Sequence, residues 1–225
     1  MRRVDISSLC YALSHVDDQI YMGVNGGADR VTRDGRSSRV ISVNGHVDCV
    51  YVYDNRIYTL VYIISSDWSV RVYNLDYNLI QLWRHEINDN PNQLVVRKDS
   101  VLIPHRGSKT IIQYSLTGEV DKRIPCNVLN DAATWLCVMS LSCDTVILSC
   151  DDTVSCIDVG TGDCVWSTDS LEKPRAVCCD DASRAYVAVD GQLSTIRIAV
   201  LNGVTGKAEF TLSIAQRIES PSRRY

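Results

Sequence analysis

The sequence has no large excess of charge of either sign, no long apolar run, and none of the spacings that metal sites and common hydrolases use. Lys+Arg 23 against Asp+Glu 27 gives a net charge of −4, which removes the broad positive field of a dedicated duplex-binding protein. Any nucleic-acid contact must then rest on a local patch. No stretch approaches the roughly 18 apolar residues of a membrane span. Asp5 stands where the apolar region of a secretion signal would run, so neither a membrane nor a secretory role is expected. None of the asparagines lies in an Asn-x-Ser/Thr acceptor sequence. The ten cysteines include no C-x-x-C pair, and His15, His46, His85 and His105 form no H-x-x-x-H pair, so no metal or other cofactor is expected. No G-x-S-x-G elbow marks a hydrolase nucleophile, and Asn25-Gly26-Gly27 lacks the Lys-Ser/Thr of a phosphate loop. These absences point to a cytoplasmic protein that is not an enzyme.

What is present is enough apolar material for an ordinary core. With 225 residues, 45% of them hydrophobic and 22% charged, the chain buries about 70–75% of its unfolded surface without disulfides or a metal. The eight cysteines of the second half read as free strand residues packed inside. The paired acids Asp17-Asp18, Asp151-Asp152 and Asp180-Asp181 fall between apolar runs, where an Asp side chain caps nearby backbone N–H groups, so they read as turns rather than calcium ligands.

Secondary structure reads as strand almost throughout, with no uncontested amphipathic helix. Short runs rich in Val, Ile, Tyr and Thr recur, as in Val47 to Tyr53, Ile57 to Ile64, Ser69 to Leu75 and Thr195 to Val200. A turn signal closes the third strand of each group: Asp34-Gly35, Asp76-Tyr77, Thr117-Gly118, Thr161-Gly162 and Thr205-Gly206. The second residues of these pairs are 42, 41, 44 and 44 positions apart. A period of about 40–45 residues with four short strands per unit is that of a β-propeller blade, whose sheet buries its faces only against its neighbours. The expected architecture is therefore all-β, a single propeller domain over 1–225 with five four-stranded blades at about 8–45, 46–86, 87–126, 127–171 and 172–214. Arg2 to Ile6 sits where the last strand of a preceding blade would lie, so an incomplete six- or seven-bladed propeller is the alternative.

Gly45-His46 and the run Ser65-Ser66-Asp67-Trp68-Ser69-Val70-Arg71-Val72-Tyr73-Asn74 resemble the WD-repeat pattern, with Tyr73-Asn74 where that family has Trp-Asp. The resemblance implies a structural role for His46 and Asp67 in a buried hydrogen-bonded network, each partner worth about 1–3 kcal/mol. Pro174 to Asp180 with Ala185 to Val189 is similar to the NHL repeats at the C-terminal end of tripartite-motif proteins, and Ile157 to Trp166 resembles quinoprotein-like propeller repeats.

One charged feature stands out. Arg30, Arg33, Arg36 and Arg39 recur at every third residue around the Asp34-Gly35 turn, either as a solvated hairpin or as an anion-binding patch for phosphates or an acidic peptide. The function expected is a non-catalytic scaffold that binds a protein or peptide partner. The alternatives are the NHL-like portion of a tripartite-motif ubiquitin ligase and a single-stranded RNA-binding module.

Overall fold

The computed structural model describes residues 10–63, 67–84, 91, 93–129, 136–140, 144–150, 153–169, 171, 173–180, 182–190 and 195–215. Arg2 to Ile6, His85, Asp151, Asp152 and Asp181 lie outside them. The chain divides into two compact units, Met1–Pro125 and Cys126–Tyr225. The described residues contain strands and turns and no helix, in a propeller-like series of four antiparallel sheets.

The first unit holds two sheets. One has six strands in sequence order, β1 (Cys10–Val16), β2 (Gln19–Val31), β3 (Ser37–Tyr53), β4 (Arg56–Ile63), β5 (Asp67–Asn74) and β6 (Leu79–Arg84). The other pairs β7 (Val95–Val96), β8 (Ser100–His105), β9 (Thr110–Ser115) and β10 (Val120–Pro125). In the second unit, β11 (Leu136–Ser140), β12 (Thr145–Cys150), β13 (Thr153–Asp158) and β14 (Cys164–Thr168) form one sheet. β15 (Pro174–Cys179), β16 (Arg184–Asp190), β17 (Thr195–Asn202) and β18 (Ala208–Ala215) form the next.

The number of sheets is thus four, not the five blades expected from the repeat. The expected blades 87–126, 127–171 and 172–214 each correspond to one sheet, whereas 8–45 and 46–86 are joined. Gly45-His46, read as the start of a new blade, lies inside the 17-residue strand β3. The first part of β3 pairs with β2, from Val31↔Ser37 to Asn25↔His46, and the remainder with β4, from His46↔Tyr62 to Tyr53↔Arg56. Glycine makes the passage possible. At Gly45, φ is +151°, and a Cβ there would overlap the Tyr62 carbonyl oxygen. Gly27 has the same φ, and its Cβ would overlap the Ile41 carbonyl oxygen. Only glycine lets these backbones approach so closely.

The repeat itself is real at the level of turns. Gly35, Tyr77, Gly118, Gly162 and Gly206 all have left-handed φ, at 86°, 65°, 90°, 84° and 67°. Each donates its N–H back across the turn, to the carbonyls of Thr32, Asn74, Ser115, Asp158 and Asn202 respectively, at 2.8 to 3.0 Å. In the last four turns those same residues also accept backbone N–H groups on their side-chain oxygens, for example Asn78 N–H on Asn74 Oδ1 at 2.9 Å and Thr161 N–H on Asp158 Oδ1 at 2.9 Å. A side-chain acceptor three or four residues before a left-handed position fixes where the third strand stops and the fourth begins.

Strand β4 shows how the first unit packs. Its residues alternate in direction, as a pleat requires, yet both faces are buried. Ile57 and Val61 join Tyr21, Ala28, Ile41, Val47, Val50, Val52 and Tyr73. Tyr58 and Leu60 join Trp68, Val70, Val72, Trp83, Ile103, Ile112 and Tyr114 on the other side. At roughly 1.5–3 kcal/mol per fully buried large apolar side chain, these two layers are the main stabilising term of the unit. In the second unit Ile147 and Val154 pack with Val177, Ala185, Val187, Val189, Ala199 and Leu201.

Candidate interaction surface

His46 is half-buried, in an aromatic row that starts at exposed Tyr11 and ends at buried Trp68. The Tyr11 and His46 rings meet edge to face at 5.8 Å, His46 stacks on Tyr62 at 6.4 Å, and Tyr62 lies 4.9 Å from Trp68. The cross-strand pair His46↔Tyr62 produces that stack. Among the described residues His46 Nδ1 is buried without a hydrogen-bond partner. Its position is held by ring packing. Asp67 opens β5 opposite Ile63, and its side chain lies outside the described residues. Two residues beyond His46, Asp48 sits at a bulge with no cross-strand partner. Burial pushes its carboxyl up, with the charge of His46 partly opposing the shift.

Each of the four arginines of the β2–β3 hairpin has a partner within the protein. Arg30 donates to the Tyr77 hydroxyl at 3.0 Å and lies 5.9 Å over its ring, tying β2 to the turn before β6. Arg33 pairs with Asp18 at 3.4 Å, Arg36 with Asp34 at 3.0 Å, and Arg39 with Asp29. The acids nearby were legible in the sequence, but Asp18 and Asp29 meet their arginines only through the strand register.

Nucleophile chemistry is poorly supported by the thiols. Among the described residues Cys10, Cys126, Cys156, Cys164 and Cys178 carry free thiols. Burial pushes the Cys126 thiol up to about 11, and it raises Cys10, Cys156, Cys164 and Cys178 as well. Among the described residues no group of three or more His, Cys, Asp or Glu is placed to hold a metal ion. No helix among them is long and apolar enough to cross a membrane.

Asp180, one of the paired acids, is a turn former. Its Oδ1 accepts the N–H groups of Ala182 and Arg184 at 3.0 and 2.9 Å, and its Oδ2 accepts from Arg184 Nε at 2.8 Å and from the Tyr186 hydroxyl at 2.9 Å. The Arg184 N–H and guanidinium, with the Tyr186 hydroxyl, hold the carboxyl down at about 2, below its usual 3.8. A lowered folded pKa stabilises above the unfolded value, and that contribution disappears as pH falls through the folded one. Thermal melts should therefore lose stability between about pH 4 and pH 2. Asp180→Asn should be less stable than the native protein at pH 6, and the gap should close by pH 2. An equal gap at both pH values would exclude this role.

Among the apolar side chains left outside the core are Leu79, Ile80 and Leu82 of the outer strand β6, each 50% exposed. Trp83, between Leu82 and Arg84, turns inward and packs over Gly118 of the β9–β10 turn. Trp166 of β14 repeats the arrangement, lying over Gly206 and donating its indole N–H to the Gly203 carbonyl at 2.7 Å. Sequence reasoning missed both tryptophans, because each meets a turn of another sheet in its unit at a separation no local pattern marks.

No family model matches the sequence, and no curated protein does. Solved structures do share the fold. The chain is similar to a protein of unknown function from Bacteroides caccae, at 12% identity and a TM-score of 0.70, over 93% of this chain and 83% of that one. It also resembles KlHsv2 with its loop 6CD replaced by a Gly-Ser linker, at 7% identity and a TM-score of 0.57. That match covers 91% of this chain and 66% of the other. At such identities the likeness is one of fold alone.

Proposed function

We propose that the protein is a non-catalytic platform that binds a protein or peptide partner, built from divergent blades of the WD-repeat/NHL-repeat kind. The observation that carries the reading is the exposed aliphatic row on β6, displayed by sheets whose own cores are closed. Contiguous exposed apolar surface beside a rigid scaffold is the usual mark of a protein-binding site. The turn period of 41 to 44 residues supports the repeat type, and the free thiols suit a reducing compartment such as the cytoplasm.

The single-stranded RNA reading is weaker. Arg33, Arg36 and Arg39 already pair with acids, and a phosphate would have to displace them. A titration of labelled single-stranded RNA at two salt concentrations separates the readings. The platform predicts a log–log salt slope below about one, unchanged when Arg30, Arg33, Arg36 and Arg39 are all replaced by Gln. At roughly 0.7 per phosphate contact, a slope of about two or more that disappears in the Gln variant would establish RNA binding instead.

A further inference from the structure

In an asparagine-glycine pair the backbone nitrogen that follows the side-chain amide is unhindered, because glycine carries no Cβ. The sequence has this pair at Asn25-Gly26, Asn44-Gly45 and Asn202-Gly203, and the fold treats them differently. Asn202 is locked. It stands in register with Arg184, its Oδ1 accepts the N–H groups of Val204 and Thr205 at 3.1 Å each and the Thr205 hydroxyl at 3.2 Å, and its Nδ2 donates to Glu209 at 3.3 Å. The Gly203 N–H is engaged as well, donating to the Ser183 carbonyl at 2.8 Å.

The other two pairs lie together in one irregularity of the first sheet. The β2–β3 register steps from Asn25↔His46 to Gly27↔Ser42, which leaves Gly26 on one strand and Val43, Asn44 and Gly45 on the other without a partner in it. The β3–β4 register begins only at His46↔Tyr62. Asn25 and Asn44 are exposed, and among the described residues neither side-chain amide makes a hydrogen bond. The contact from Arg39 Nη2, at 3.5 Å, is to the Asn25 backbone carbonyl. Gly26 has a left-handed φ of 79°, and an added Cβ there would meet only the end of the Arg39 side chain, at 3.3 Å, so the backbone has room to turn.

We propose that this irregularity is a deamidation site, in which the Gly26 nitrogen attacks Asn25 Cγ, or the Gly45 nitrogen attacks Asn44 Cγ, and the side-chain nitrogen leaves as ammonia. The glycine N–H proton departs with the ammonia, and the product is a cyclic succinimide. Water is the only co-reactant. It opens the ring at Cγ to leave aspartate, or at the backbone carbonyl to leave isoaspartate, and restores the N–H in either case. Both products add a negative charge beside half-buried His46. Isoaspartate also routes the main chain through the side-chain CH₂, which lengthens a strand at the passage where His46 stands opposite both Asn25 and Tyr62. The modification therefore falls on the joint between the first two repeats.

Peptide mapping by mass spectrometry, on native protein held at mildly alkaline pH, tests this. The amide should be lost from Asn25 or Asn44 at least about tenfold faster than from Asn202, where the reacting groups are kept from meeting. After unfolding in urea the three should react at comparable rates, because each then has the same free neighbour. Native rates at Asn25 and Asn44 that are both no faster than at Asn202 would overturn the proposal. A difference of the same size in urea would overturn it too, by assigning the effect to local sequence rather than to the bulge.

Discussion

Gly45→Ala should lower stability by more than about 3 kcal/mol. Two costs combine. The backbone at Gly45 has φ +151°, which an L side chain rarely adopts, and the new Cβ would overlap the Tyr62 carbonyl oxygen. Neither can relax alone, because the neighbours are backbone atoms fixed by the His46↔Tyr62 pair and by buried Val47 and Val61. For a protein of this size the melting temperature should fall by about 6–12 °C, at roughly 2–4 °C per kcal/mol. Asn44→Ala, an exposed neighbour in the same strand, should change it little. A Gly45→Ala protein that melts within a degree or so of the native one would show that β3 does not pass Tyr62 as described.

Trp83→Ala should cost about 3–5 kcal/mol, the usual range for emptying a large aromatic site in a core. Its ring is 8% exposed and belongs to the layer containing Tyr58, Leu60, Ile103 and Tyr114. It also covers Gly118, where φ is +90° and an added Cβ would run into the indole. Gly118→Ala should therefore be costly in the native protein and much less so once Trp83 is alanine, leaving the backbone strain alone. A double-mutant cycle by chemical denaturation should give a coupling of about 1–3 kcal/mol. Additive losses would mean that the ring does not rest on the turn.

The period of the fold was legible because it is written in local chemistry. Gly35, Gly118, Gly162 and Gly206 are needed where the chain turns left-handed, and the last three each follow a short side-chain acceptor that closes the turn. The division into sheets was not legible, and Gly45 shows why. In sequence, Asn44-Gly45-His46 has the composition of a turn and the Gly-His pair of a repeat start. In the structure the same glycine serves close approach between strands, a tertiary demand that leaves no different trace in the sequence. The arginine hairpin was visible as a cluster of charge, but its neutralisation depends on Asp18 and Asp29 arriving through strand pairing. The exposure of β6 was not legible, since only the sheet order puts Leu79, Ile80 and Leu82 on an outer strand.

The joining of the first two repeats through one unbroken strand is most directly tested by backbone NMR across Ser37–Tyr53. Cross-strand contacts should run from His46 to both Asn25 and Tyr62, with protected amides on both sides of the irregularity between Ser42 and His46. Contacts from His46 to one neighbour only would instead describe two separate blades joined by a loop and would contradict the four-sheet structure.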